Sequence, residues 1–384
     1  MDHMDETKKL KHPILFITRT YPPVLGGLEM LSYNLTTTVK KFSPTFIIKN
    51  LYGKKALPFF IPWAFVKAIL ILLFKDVKVV HLSDGVLAPI GYALKLFFPR
   101  IKLAITIHGL DLTYVENLPI YYYTNIIFIR KLDLIIAVSN ETRKKCIEYG
   151  IKDDKIKVIL NGTNVDQYYE SAIRKNNGKE FTEWQKVFPK GKNKAIKFNQ
   201  KFKILYLGRL AAHKGVPWFV SKVMPKLPEN TIFLVAGMGP QYGKIEKAIT
   251  KNKLEERVFL LGAVSEGTKK FLLNASDILV MPNIEIPGNR EGFGITAIEA
   301  GSCGLVPVVA DLQGLKDAVK NESNGLRVPT KKKEEFVKTI GYLINNPEYR
   351  IALGKKARKY VKDNFDWKVI GAKYLEEFRK LDEK

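Results

Sequence analysis

Two glutamates eight positions apart, Glu291 and Glu299, are the residues of this chain best placed to hold a ligand. They bracket the run Glu291-Gly292-Phe293-Gly294-Ile295-Thr296-Ala297-Ile298-Glu299, which begins as a glycine-containing loop and continues as an amphipathic helix. The apolar run Ile278–Met281 ahead of it reads as a strand. Strand, glycine loop and helix start together form an anion platform at the carboxyl edge of a parallel sheet, where backbone N–H groups point outward. One carboxylate falls before the helix and the other about two turns inside it. The pair can therefore offer acceptors to two parts of one long ligand. A helix start made acidic by the macrodipole would also explain them, so the remaining motifs have to decide.

Five other segments place polar or glycine residues after apolar, strand-like runs. Tyr21-Pro22-Pro23-Val24-Leu25-Gly26-Gly27-Leu28-Glu29 follows the first strand, and Gly26 and Gly27 let backbone N–H groups approach an anion. His108-Gly109-Leu110-Asp111 ends the run Leu103–Ile107, and a histidine there points into the ligand crevice of an open sheet. Gly208-Arg209-Leu210-Ala211-Ala212-His213-Lys214-Gly215 follows Lys203–Leu207 and supplies a guanidinium fork and an ammonium point charge, with His213 read as incidental. Ala236-Gly237-Met238-Gly239-Pro240 either approaches a ligand or turns the chain, and Asn161-Gly162 reads as a structural turn.

The elements that must carry these residues alternate. Short apolar runs recur at 14–18, 45–48, 77–82, 103–107, 134–138 and 157–160, with helical patterns between most of them. From 170 to 200 the composition turns to Lys, Asn and Gly, a linker with a short helix near 180–187. The alternation then resumes at 203–207, 232–236, 258–261, 278–281, 306–309 and 325–328, and a helical C-terminus starts at Pro347. Two parallel, helix-covered sheets follow, each Rossmann-like, with a cleft expected between them. The 384 residues agree with two domains.

The charge of +25 calls for an anionic partner: nucleic acid, a lipid surface or a phosphorylated substrate. No aromatic-basic nucleic-acid motif is apparent. Two cysteines make no disulfide framework, and neither they nor the five histidines are spaced for a zinc site, which suits a reduced, cytoplasmic chain. No secretory leader is visible. The run Leu57–Phe74 is nearly all apolar, but Pro58 and Pro62 are expected to break its first part. Its remaining helix, Trp63–Phe74, is about 18 Å long and too short to cross a bilayer. It reads as a core helix or as one lying on a membrane surface, flanked by Lys54, Lys55, Lys75 and Lys78.

Taken in order, the glycine loop, His-Gly, Asn-Gly, the Arg and Lys pair and the two glutamates resemble the family 4 retaining glycosyltransferases, with their GT-B fold and E-x7-E signature. The resemblance implies an α/β architecture of two Rossmann-like domains: residues 1–169 for the acceptor, a linker over 170–200, and 201–367 for a nucleotide-sugar donor, with a final helix from about 368 packed back on the first domain. It implies that Gly26 and Gly27 face the donor diphosphate, His108 the transferred sugar, and that Asp111 orients His108 or binds the acceptor. Arg209 and Lys214 would stabilise the leaving nucleoside diphosphate in place of a metal. Glu291 would contact the donor sugar and Glu299 the ribose. The N–H groups of Phe293, Gly294 and Ile295 would lie near sugar and phosphate oxygens, with Gly237 and Gly239 beside the nucleotide and Tyr114 at the acceptor entrance. The reaction implied is metal-independent transfer from a UDP- or GDP-sugar, with no cofactor, to a hydroxyl of a lipid-linked or cell-envelope glycan. The enzyme would be cytoplasmic and peripheral on the inner face of the membrane. A nucleotide-sugar epimerase, a phosphorylase, or a non-catalytic subunit of the same fold are the alternatives.

Overall fold

The structure, a computed structural model, describes residues 10–23, 26–109, 111–112, 120, 122–169 and 200–383. The linker, apart from Gln200, and Tyr114 therefore lie outside the described residues. The chain divides into two compact units, residues 1–162 with 367–384, and residues 163–366. The division falls at Gly162/Thr163, ahead of the boundary at 169 expected from sequence, because Tyr168 is tied to the second unit: the Asn274 amide donates to its carbonyl at 2.6 Å.

The first unit alternates β1 (Ile14–Thr18), α1 (Gly27–Lys40), β2 (Thr45–Lys49), α2 (Leu57–Phe74), β3 (Val79–Leu82), α3 (Ala88–Phe97), β4 (Lys102–Ile107), β5 (Leu134–Ala137), α4 (Asn140–Glu148) and β6 (Ile156–Val158). All neighbouring strands are parallel, in the order β2-β1-β3-β4-β5-β6. The central strands read as apolar runs rather than alternating ones because helices cover both faces of the sheet. β1, β3 and β5 are buried along their whole length. Chain order reverses between β1 and β3, so a ligand crevice lies beyond their carboxyl ends. Ser139 caps α4: its hydroxyl accepts the Thr142 N–H at 3.0 Å.

The second unit repeats the design with β7 (Phe202–Leu207), α5 (Val216–Lys222), β8 (Thr231–Ala236), α6 (Tyr242–Lys251), β9 (Val258–Gly262), α7 (Glu266–Ala275), β10 (Ile278–Met281), α8 (Ile295–Ser302), β11 (Val306–Ala310), β12 (Leu326–Val328), α9 (Lys333–Asn345) and α10 (Pro347–Phe365). Its sheet runs β12-β11-β10-β7-β8-β9, all parallel, and reverses between β7 and β10. The last helix, α11 (Trp367–Asp382), belongs to the first unit, where it packs on α1. Asp382 anchors it there, accepting the Lys11 N–H at 3.0 Å and facing the His12 ring at 2.8 Å.

One local expectation fails. The prolines do not break α2, which is continuous from Leu57. Pro58 sits in the first turn, where its missing N–H would have no helical partner anyway. Pro62 removes one early hydrogen bond, and burial of Phe60, Ala64 and Ala68 against the unit's core outweighs that loss.

Candidate functional site

Glu291 stands beyond the carboxyl ends of β7 and β10, at the reversal of the second sheet. Three segments converge on it. Lys214, from the turn after β7, forms an ion pair with its Oε2. Asn283, just past β10, donates to the same oxygen at 2.8 Å. The Gln313 side chain accepts the Glu291 backbone N–H at 2.7 Å, and Gly314 donates to its carbonyl at 3.3 Å. Burial pushes the carboxyl up, but the Lys214 ammonium and the Asn283 amide more than reverse this and hold it below the ordinary carboxylate value. The site thus presents a buried carboxylate that stays ionised, on an ammonium with further N–H donors to offer.

The loop that delivers Glu291 to this point needs its glycine. Gly294 has φ of 100°, a left-handed conformation, and a Cβ there would lie 2.5 Å from the Leu315 Cδ2. It immediately precedes α8, whose first N–H groups have no intrahelical acceptor. The Phe293 ring is core, packed on Phe365 with centroids 5.8 Å apart, so any ligand role for Phe293 falls to its backbone.

Arg209 projects as an exposed residue from the same turn as Lys214. Among the described residues no carboxylate pairs with its guanidinium. His213 is buried between these cations and Glu291. Burial, then Lys214, depress its pKa, and no described residue bonds its Nδ1. Gly237 and Gly239 have a packing explanation. A Cβ on Gly237 would lie 1.9 Å from the Gly208 carbonyl oxygen, and one on Gly239 would lie 2.6 Å from that of Leu210. The Gly237 N–H is committed to the Gly262 carbonyl at 2.7 Å.

Glu299, on α8, is also buried, and its partner comes from a helix that no motif had marked. Lys269 of α7 donates to Glu299 Oε1 at 2.7 Å and to the Tyr168 hydroxyl at 3.2 Å, with its ammonium 4.6 Å from the Tyr168 ring centre. The Tyr168 hydroxyl donates in turn to Glu266 at 3.2 Å. Burial raises the Glu299 pKa, and the nearby Glu266 carboxylate adds to the rise, so that Lys269 does not bring it back to the ordinary value. Burial opposes the charge on Lys269, but Glu299 outweighs it and holds the ammonium firmly protonated.

In the first unit, the ends of β1, β3 and β4 open onto a pocket lined by Thr18, Ser32, His81, Ser83, His108 and Trp367, among others. His108 Nε2 lies 2.9 Å from the Ser83 carbonyl. A carbonyl only accepts, so the proton sits on Nε2 and a neutral ring keeps Nδ1 as an acceptor. No described residue bonds that Nδ1, nor Nδ1 of His81 or Nε1 of Trp367. Asp111 accepts the His108 backbone N–H at 2.8 Å, so it fixes the loop while Ser83 orients the ring. Beneath them Arg19 donates to Asp84 at 2.7 Å in a buried ion pair. Burial, with His108 next, depresses the His81 pKa to about 3, and its Nε2 lies 2.9 Å from the Thr106 hydroxyl. Gly26 directly precedes α1, its carbonyl accepting the Met30 N–H at 3.2 Å, and Gly27 is the first residue of that helix.

Comparison with known proteins identifies both halves. Residues 3–167 match the model of Glycosyltransferase Family 4, and residues 187–360 that of Glycosyl transferases group 1. Both models are of glycosyltransferases, and the fold is GT-B. It is similar to an uncharacterized glycosyltransferase of Methanocaldococcus jannaschii, 28% identical over 61% of this chain and 56% of the relative. It is also similar to the N,N'-diacetylbacillosaminyl-diphospho-undecaprenol alpha-1,3-N-acetylgalactosaminyltransferase of Campylobacter jejuni, 28% identical over 59% of this chain and 54% of that protein. The matched part thus spans about half the length of these relatives. Among solved structures, the Anabaena protein HepE in complex with UDP-glucose superposes with a TM-score of 0.75 at 18% identity, covering 96% of this chain and all of that one.

Sequence reasoning missed Asn283, Lys269, Tyr168 and the Arg19–Asp84 pair. Asn283 carried a usable signal, since it lies just past the carboxyl end of a strand at the sheet reversal. Lys269 carried none, being one lysine among many on a helix face.

Proposed function

We propose that the chain is a retaining glycosyltransferase that moves a sugar from a uridine or guanosine diphosphate donor to a hydroxyl of a lipid-linked glycan, without a metal ion. The observation that carries this reading is the cluster of Lys214, Glu291 and Asn283 beyond β7 and β10, with Arg209 on the same turn. An ionised carboxylate held by an ammonium suits a donor sugar hydroxyl on one side and a diphosphate on the other. Charge grows on the diphosphate oxygens as the glycosidic bond breaks, and Lys214 and Arg209 stabilise it there. Glu299 would accept hydrogen bonds from the ribose. The acceptor hydroxyl would attack on the face the diphosphate leaves, which delivers its proton to a phosphate oxygen and retains the configuration.

In the first unit, the Nδ1 of His108 would accept a hydrogen bond from the transferred sugar, and Gly26 would lie near the diphosphate. The diphospho-undecaprenol in the Campylobacter relative's name supports a lipid-linked acceptor. With such an acceptor the enzyme would work at a membrane surface, on its cytoplasmic face in this reading.

Thermal denaturation with UDP, GDP, ADP and their common sugars, each with and without EDTA, tests the donor reading. A rise in melting temperature with one nucleotide, unchanged by EDTA, is the expected result. No shift with any of them at millimolar concentration would remove it.

A further inference from the structure

The crossover helix α2 is apolar on both sides. One side, with Phe60, Ala64 and Ala68, is buried in the core of the first unit. The other exposes Phe59, Trp63, Val66, Leu70 and Leu73, at alternating spacings of four and three residues that form one continuous stripe. Phe74 is 77% exposed at the helix end. Leu96 and Phe97, at the end of the neighbouring α3, are 65% and 67% exposed, and the Phe97 ring meets Phe65 of α2 with centroids 6.1 Å apart. A patch of this size and chemistry on a soluble surface marks a contact site.

Cations surround the stripe. Lys55 precedes α2, and Lys75 and Lys78 follow it, all exposed, as is Arg100 after α3. Lys67 lies along the helix with its ammonium 4.7 Å from the Trp63 ring centre, its stem beside apolar neighbours and its charge outward. Between residues 51 and 102 the acids are Asp76 and Asp84 alone, and Asp84 is buried in its pair with Arg19. An apolar stripe with tryptophan and a cationic rim complements an anionic bilayer surface.

We infer that α2 is an in-plane membrane anchor: the helix lies on an anionic lipid surface, its outer stripe sunk to the acyl boundary and its lysines at the headgroups. Its length and composition alone would let it span. The fold forbids that, because α2 connects β2 to β3, two parallel strands on either side of β1, and its inner side is fixed to their core. The inference deepens the reading of a lipid-linked acceptor and rests on it for its biological sense. None of its residues is among those assigned to the donor.

The test is co-sedimentation of the full chain with phosphatidylcholine vesicles, with and without phosphatidylglycerol. Binding to anionic vesicles at least about tenfold tighter than to neutral ones, and weakened by salt, is expected. L70E/L73E should weaken it by about tenfold or more while leaving the melting temperature and nucleotide-induced shift intact, since both leucines are exposed. If that variant misfolds, K75E/K78E, which alters only exposed charges, should give a similar loss. Equal indifference of the wild type to both vesicles overturns the anchor. So does undiminished binding by the folded variants, or a solution dimer that L70E/L73E dissolves, which would make a second copy the occupant. Vesicle binding without any nucleotide shift leaves the anchor standing and removes the transferase reading.

Discussion

Glu291 and Glu299 are both buried and both paired with a lysine, yet their environments push them in opposite directions. The Glu291 carboxylate accepts from the Lys214 ammonium and the Asn283 amide. Glu299 has Lys269, but shares it with Tyr168 and faces the carboxylate of Glu266. The first is therefore favoured as an anion, and the second has its charged form disfavoured by burial and by the facing carboxylate. The difference shows that motif spacing does not define a carboxylate's role. The company it keeps, supplied by distant segments, does.

The largest expected effect separates the two lysines. Lys214→Met should lower kcat by about 10²-fold or more, because in the proposed reaction it removes charge where the leaving group would form. Lys269→Met should weaken nucleotide binding by about tenfold and leave kcat within about threefold, as lost support for a ground-state contact would. Steady-state kinetics with nucleotide titration measures both, and equal losses of kcat in the two variants would erase the distinction. Next in size is stability. Glu291→Gln leaves Lys214 without its buried counter-charge and should cost about 3 kcal/mol in urea unfolding. Glu299→Gln should cost about 1 kcal/mol or less, since it also relieves the repulsion with Glu266. A greater loss in the second variant would contradict the environments described.

The pH dependence carries the sign of each site. Glu291 is depressed in the fold, so its stabilisation is present above its ordinary value of 4.5 and is lost as pH falls through its lower, folded value. Glu299 is raised, so the folded chain favours its protonated form. That contribution is complete below 4.5 and is lost as pH rises through the folded value. Urea midpoints across this range should lose their acid-side decline in Glu291→Gln and their fall above pH 4.5 in Glu299→Gln. Exchange of these two behaviours would reverse the assignment. The smallest effect is that of Glu266→Gln, which should move the pH dependence of nucleotide binding to lower pH with little change at neutral pH. An unmoved profile would show that Glu266 does not reach Glu299 electrostatically.

The twelve strands of the described residues were legible in the sequence, as were the loops after them that carry His108, Arg209, Lys214 and Glu291. The reason is local: apolar runs of strand length, helical periods and glycine turns are written within a few residues of one another. Only the tertiary structure decided what those loops meet. The pairing of Lys269 with Glu299 spans 30 residues, and that of Arg19 with Asp84 spans 65. Nothing in local periodicity encodes such distances. The outer stripe of α2 shows the same limit. A helix apolar all round has no facing direction in its own pattern, and the sheet chose which side to bury. Likewise Tyr168 joined the second unit and α11 the first, because the contacts available to each, rather than its place in the chain, fixed where it was stable.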